Sequence, residues 1–490
     1  MLQSKLISTL KTLSDKELKQ FQLWVEADIF NKNKSIVQLM NLITRYTPDF
    51  NSPKAIKALE KEAVFKKIYK KANYNNLKLN NLISDTYLLL CDFLAYQNFQ
   101  ASKQFPRLCL MDEFFEKGLY KNVEQEARKF RQEQEKFSVR NSSYYFDEYL
   151  FYKQKDALFL SQPNRTADVN LQLKNDKLDL FYFATKLKIA CDMTSRNAVI
   201  QANYESPFLE ELSQHYQQNQ AKFENIPSIT VYYQVLKMLQ NQEESIHYFQ
   251  LKTTLANNLK YFPNEELRTL YDYARNYCIR KINNGETAYY QEILNLYQFL
   301  LDKKIIFQNG YLTQWDYKNI ITVGLRLQSY DWTENFIKKY KNSLPENVRE
   351  NAFIYNLASF YYETHRYKKS LQLLHEVKFT DTTYPLGAKI IQLKSYYELQ
   401  ETEPFYALTD AFQIFVKRNR QLSDYRKTAY LNLIKITKKI FKLREQKGYI
   451  AHSVWQKRYE ALKVKIDSQR IANKDWVKER LTIELSSQPS

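Results

Sequence analysis

The chain has 490 residues, of which 6 are glycine and 11 are proline; average usage would supply about 34 and about 25. No two glycines lie closer than Gly310 and Gly324, so a glycine-rich phosphate loop is excluded, and a β-sandwich or barrel would lack residues for its tight turns. The net charge of +19 is concentrated at the ends: 15 basic against 7 acidic residues in 1–80 (+8), 19 against 7 in 417–490 (+12), and 39 against 40 in 81–416 (−1).

Helix punctuation begins at Ser14-Asp15-Lys16-Glu17, a capping box in which the serine accepts an amide N–H and Glu17 reaches back. Leu18, Phe21, Leu23, Trp24 and Val25 follow at helical spacing. Residues 1–100 are expected to form a helical module of about five helices. Its loops are expected at Asn31–Lys34 and Thr47–Pro53. Leu79, Leu82, Ile83, Tyr87, Leu90, Phe93 and Leu94 form one apolar stripe. Residues 101–225, read as a helical connecting region or the start of a helical array, contain a predicted loop at Ser161–Thr166. Ser206-Pro207 predicts proline in a first helical turn, where its missing N–H costs nothing. Ile226-Pro227, Phe262-Pro263, Leu344-Pro345 and Glu403-Pro404 mark further boundaries, and Thr313–Asp316 another capped start. No strand alternation bounded by hairpin turns occurs, so the expected class is all-α, with helices of roughly 12–25 residues.

Residues 356–377 read NLASFYYETHRYKKSLQLLHEV. Leu357, Ala358 and Tyr361, followed after a turn by Tyr367, Ser370, Leu371 and Leu374, resemble a tetratricopeptide repeat, best over about 351–384. The usual turn glycine is His365, the usual alanine Ser370 and the usual closing proline Thr382, with Pro385 nearby. Val323-Gly324-x-x-Leu327 stands 34 residues before the same element, Leu393-Lys394-x-x-Tyr397 stands 36 after, and Trp332 stands 35 before Tyr367. Tyr273-Ala274-x-x-Tyr277 resembles a more distant first helix. The resemblance implies an α-solenoid of helical hairpins over 226–420; the helical module stands before it, and basic capping helices are expected over 421–490. It also implies a groove lined by Tyr355, Ser359 and Tyr362; for the two tyrosines, packing against the next repeat is the alternative.

Little in the sequence points to catalysis. Five histidines, His215, His247, His365, His375 and His452, form no HExxH or paired metal motif. Glu210-Glu211 and Glu265-Glu266 follow helix-start signals, where acids favour the helix dipole. Cys91, Cys109, Cys191 and Cys278 sit among apolar neighbours without a CxxC, as buried free thiols would. No apolar run approaches the roughly 20 residues of a membrane span, and Met1–Phe21 carries charges among its leucines. A cytoplasmic location is expected. In 431–447, Lys435, Lys438, Lys439 and Lys442 share one predicted helical face, which suits a polyanion or the solvated side of a capping helix. The expectation is a non-enzymatic scaffold with a protein or peptide partner and no cofactor or metal. A nucleic-acid-associated protein using the basic ends is the alternative, and an enzyme with an unrecognised helical active site is a third class.

Overall fold

A computed structural model describes residues 1–70, 72–102, 104–163, 167–200, 203–376, 384–420 and 422–486. Among them all regular structure is helical, apart from one isolated antiparallel bridge between Gln308 and Tyr311. No helix there is long and apolar enough to cross a membrane. The chain divides into two compact units, residues 1–190 with 206–232, and residues 191–205 with 233–490.

The first unit opens with α1 (Lys5–Leu10), α2 (Asp15–Glu26), α3 (Lys34–Ile43), α4 (Pro53–Ala58), α5 (Lys61–Ile68) and α6 (Asn76–Ala101), six helices where five are expected. Leu6, Phe21, Met40, Phe65, Leu79 and Phe93 form their core. The capping box is present: Ser14 Oγ accepts the Glu17 N–H (3.3 Å), and Glu17 Oε2 accepts the Ser14 N–H (2.7 Å). A second core around Met111, Phe130 and Phe151 joins α7 (Phe105–Glu116), α8 (Tyr120–Lys136) and α9 (Ser142–Leu160). The buried Glu148 is held by Arg131 at 3.1 Å and by Lys177 of α10 (Asn170–Ile200) at 3.7 Å. α11 (Leu209–Gln218) and α12 (Gln220–Phe223) follow. Pro207 does not enter a helix: it sits in a turn, and Phe208 takes φ 63° immediately before α11. The expected loop at Ser161–Thr166 is described only as far as residue 163, where a turn ends α9.

α13 (Pro227–Gln240) leads into the second unit, which contains α14 (Ser245–Asn258), α15 (Asn264–Asn283), α16 (Tyr289–Asp302), α17 (Gln314–Arg326), α18 (Tyr330–Tyr340), α19 (Glu346–Glu363), α20 (Tyr367–Glu376), α21 (Pro385–Leu399), α22 (Thr402–Arg418), α23 (Asp424–Glu445), α24 (His452–Ser468) and α25 (Lys474–Ser486). From α14 onward each helix packs on the next, and α17 on α19, α19 on α21 and α23 on α25 pack as alternate neighbours. Leu371, Tyr397, Phe405, Phe441, Trp455 and Trp476 belong to one core. The helices after residue 420 therefore continue the same hydrophobic interior as the helices before it.

Four hairpins of this unit turn in the same way. The N–H groups of Glu286, Ser329, Arg366 and Glu401 donate to the carbonyls of Lys281, Gly324, Tyr361 and Tyr396, five residues earlier. The residue before each donor is left-handed: Gly285, Gln328 (φ 54°), His365 (φ 57°) and Gln400 (φ 58°). This bond pattern is the Schellman ending, which satisfies orphan helix carbonyls and normally uses glycine. His365 thus occupies a glycine conformation, and its Nδ1 lies 2.7 Å from Tyr367 Oη. A left-handed L-residue costs about 1–2 kcal/mol, and glycine returns part of that in chain entropy. Gln328→Gly and Gln400→Gly are each expected to raise stability by up to about 1 kcal/mol, read as a higher urea midpoint. A lower midpoint in both would count against strain at these turns.

The turns also correct the repeat register. From Gln328 to His365 is 37 residues and from His365 to Gln400 is 35, so Gly324 matches Tyr361 rather than Ala358. Trp332 is likewise displaced by two from Tyr367. Measured from Gly285, Tyr273-Ala274 falls four residues too far from its turn to match Leu357-Ala358. Close approach of paired helices is nonetheless real at Gly324, where a Cβ would run into Thr333 Oγ1. In the next hairpin, buried Ser370 donates its hydroxyl to the Ala358 carbonyl at 2.8 Å. Thr333 and Ser370 are 37 apart, in step with the turns. Thr382 lies outside the described residues.

Candidate functional site

In turn register, Lys318 of α17 and Tyr355 of α19 are equivalent, as are Ser359 of α19 and Lys394 of α21. All four are at least partly exposed, on the first helices of three successive pairs. The Tyr355 ring lies across the α21 backbone at Gly387, where a Cβ would be 2.6 Å from Tyr355 Oη and 2.8 Å from its ring. Gly387 is thus the absence of a side chain that lets this tyrosine lie flat. Tyr384 packs on the same ring with centroids 4.8 Å apart, and Lys318 Nζ stands 5.5 Å from its centre. Burial raises the Tyr355 phenol, and a hydrogen bond from Ser359 partly offsets that rise. Burial also lowers the Lys318 amine.

Lys394 is the most perturbed amine on this face. Its Nζ donates to Asn473 Oδ1 at 3.0 Å and lies 5.2 Å from the Trp476 ring and 5.7 Å from the Tyr362 ring. Burial is the chief cause that brings its pKa down to about 8; Arg326 and Arg480 push the same way, while Glu363 and Glu398 oppose them. Glu398 is itself paired with Arg480 at 3.0 Å. The motif spacing of 36 residues set Lys394 opposite Ala358. Aligning by the helix-ending turns would have placed it beside Ser359.

Tyr362 goes the other way. It is only 8% exposed and packs with Ala358, Leu374, Ala388 and Ile391, so it faces the next helix pair. Only Tyr355 and Ser359 of the three predicted groove residues therefore share an accessible surface.

The lysine stripe of α23 is also divided. Lys438 turns toward α22 and pairs with Asp410 at 2.8 Å. Lys439 and Lys442 line a cleft of about 370 Å³ with Arg458 and Lys465 of α24. Lys435 is exposed and depresses the Lys439 amine from outside the cleft lining. Helical spacing put four lysines on one face, but an acid on a neighbouring helix claimed one of them.

Other candidates settle into structural roles. Glu210-Glu211 and Glu265-Glu266 occupy the first turns of α11 and α15. His375 Nε2 lies 2.7 Å from Tyr396 Oη, and the His215 ring packs near Phe183 and Phe223. Cys191 and Cys278 are buried and in no disulfide, whereas Cys91 and Cys109 are only half-buried.

The chain matches no family model, no curated protein and no solved structure. Its function has to be argued from its own residues. Among those described, two accessible constellations combine charge with a shaped surface: the Lys318–Tyr355–Ser359–Lys394 face and the cleft between α23 and α24.

Proposed function

We propose that this chain is a non-enzymatic scaffold whose second unit is an α-solenoid of tetratricopeptide-like hairpins. It would hold an acidic stretch of a partner polypeptide across α17, α19 and α21. The observation that carries this reading is the recurrence of half-buried polar groups in turn register, Lys318 with Tyr355 and Ser359 with Lys394. A stacked array places equivalent first-helix positions side by side, so one extended chain meets them in succession. Tyrosine supplies a rigid contact surface with a hydroxyl, at small entropic cost on binding. Lys318 and Lys394 supply positive charge at the two ends of the row, and their partial burial makes each pairing with a carboxylate less screened than at open surface.

The test is in-cell crosslinking followed by recovery of the chain. A specific partner set should be captured by the native protein and lost from the Tyr355→Ala/Lys394→Gln double variant. An identical partner set in that variant would sink the assignment of this face. pH gives an independent check. The Lys394 amine is charged below about 8 and neutral above it, so capture should weaken between pH 7 and pH 9. The charged groups that face this amine are Glu363, Glu398, Arg326 and Arg480. In Lys394→Arg the drop should disappear, because guanidinium stays protonated.

A further inference from the structure

We propose that the cleft between α23 and α24 is a binding site for a compact polyphosphate anion, with Lys439, Lys442, Arg458 and Lys465 supplying the charge. The cleft has a volume of about 370 Å³, and these four cations enter its lining from two helices. On α23 the two lysines are three residues apart, and on α24 the arginine and lysine are seven apart. Both spacings return to the same side of a helix. Two cations therefore face two others across the gap.

Nothing in the lining neutralises them. It contains no carboxylate, and its remaining members are the Gln446 amide and apolar side chains such as Leu443. Gln446 Oε1 accepts a hydrogen bond from Arg458, which fixes the guanidinium at the rim. Among the described residues no ion pair engages Lys439, Lys442 or Lys465, although cations on the same helix find acids: Lys438 pairs with Asp410 at 2.8 Å and Arg444 with Glu484 at 2.5 Å. The Lys439 amine is lowered first by burial and then by the neighbouring Lys465. Converging like charges repel, and that cost is repaid when a multivalent anion enters.

The chemistry of the lining selects the ligand class. Ammonium groups bind phosphate oxygens as point charges, and a guanidinium adds directed donors. The volume exceeds that of a single phosphate and suits two or three linked ones. No aromatic side chain lines the cleft, so it offers no platform for stacking a nucleobase, which single-strand binders use. A small polyphosphate is favoured over a nucleic acid on that ground.

The test is calorimetric titration of the full chain with sodium triphosphate and with sodium pyrophosphate at about 0.15 M salt. Saturable binding at one site per chain is expected. Lys439→Gln and Lys465→Gln should each weaken it about tenfold, and the double variant should abolish it. Lys57→Gln, an exposed lysine in the other unit, removes one charge elsewhere and should leave binding unchanged. Helical circular dichroism checks that each variant folds, and none of the substituted lysines is itself a core residue. Absence of saturable binding, or equal weakening by Lys57→Gln, overturns the proposal. A single-stranded RNA oligonucleotide that binds more tightly than triphosphate and is lost in the double variant also overturns it, making the cleft a nucleic-acid surface.

Discussion

Arg444→Met is expected to destabilise the second unit by about 3–5 kcal/mol, the typical cost of leaving one member of a buried ion pair alone. Arg444 Nε meets Glu484 Oε1 at 2.5 Å, and the Glu484 side chain is only 3% exposed. The guanidinium also donates from Nη1 to the Tyr397 carbonyl at 3.1 Å and lies 4.1 Å from the centre of that residue's ring. Tyr397 Oη donates to the same Glu484 oxygen at 3.0 Å. One small network thus ties α21, α23 and α25 together at the heart of the shared core. Methionine matches the volume but leaves a buried carboxylate without its cation. Glu484→Gln should cost less, since an amide oxygen still accepts from Tyr397 and from Arg444. The double variant Arg444→Met/Glu484→Leu should lose clearly less than the two single changes added together, because neither charge is then stranded. Urea midpoints followed by circular dichroism decide it, and a loss below about 1 kcal/mol in Arg444→Met would show the pair to be solvated.

The second large effect is expected at Gly324. Its substitution by alanine should cost about 1–3 kcal/mol, the usual range for overpacking a tight interior contact. The new methyl would collide with Thr333 Oγ1 and come within 3.3 Å of Trp332 Cζ3. Thr333 has no room to retreat: it is fully buried, and its hydroxyl donates to the Ser329 carbonyl at 2.8 Å. The damage should therefore be specific to one partner. In a Thr333→Ala background Gly324→Ala should cost much less, giving a coupling of about 1 kcal/mol between two residues nine apart in sequence. Strict additivity would mean that the helices part as rigid bodies and that the clash is relieved elsewhere.

How far the chain's letters reach can be judged from these positions. The Ser14 box, the Thr313 cap and the apolar spacing of Leu79–Leu94 are local patterns, and each became a helix where expected. Pro207 did not, because Phe208 adopts a left-handed turn that a proline rule cannot foresee. The resemblance to a repeat rested on Ala358, Tyr361 and Ser370, yet the spacing of the helix pairs was misjudged. Motif matching gave 34 and 36 residues, whereas the left-handed turns set 37 and 35. The repeat pattern had placed His365 at a turn, but Gln328 and Gln400 make the neighbouring turns, and glutamine is not among the residue types enriched in that conformation, so their role was invisible in the letters.

At the candidate sites the split is similar. Tyr355 and Ser359 came from the resemblance, and Lys439 and Lys442 from the charge pattern. Lys394, Arg458 and Lys465 emerged only in three dimensions, while Tyr362 and Lys438 were drawn away from the surfaces assigned to them. The sequence by itself determined the all-α class, the position of most helices and the basic character of the C-terminal end. Periodicity, caps and charge act over a few residues, and a single strand of text records them fully. The tertiary structure decided which helix faces meet, because that depends on turn geometry and on partners tens of residues away. A lysine's function is set by whether an acid such as Asp410 stands opposite it, and its own helix carries no record of that.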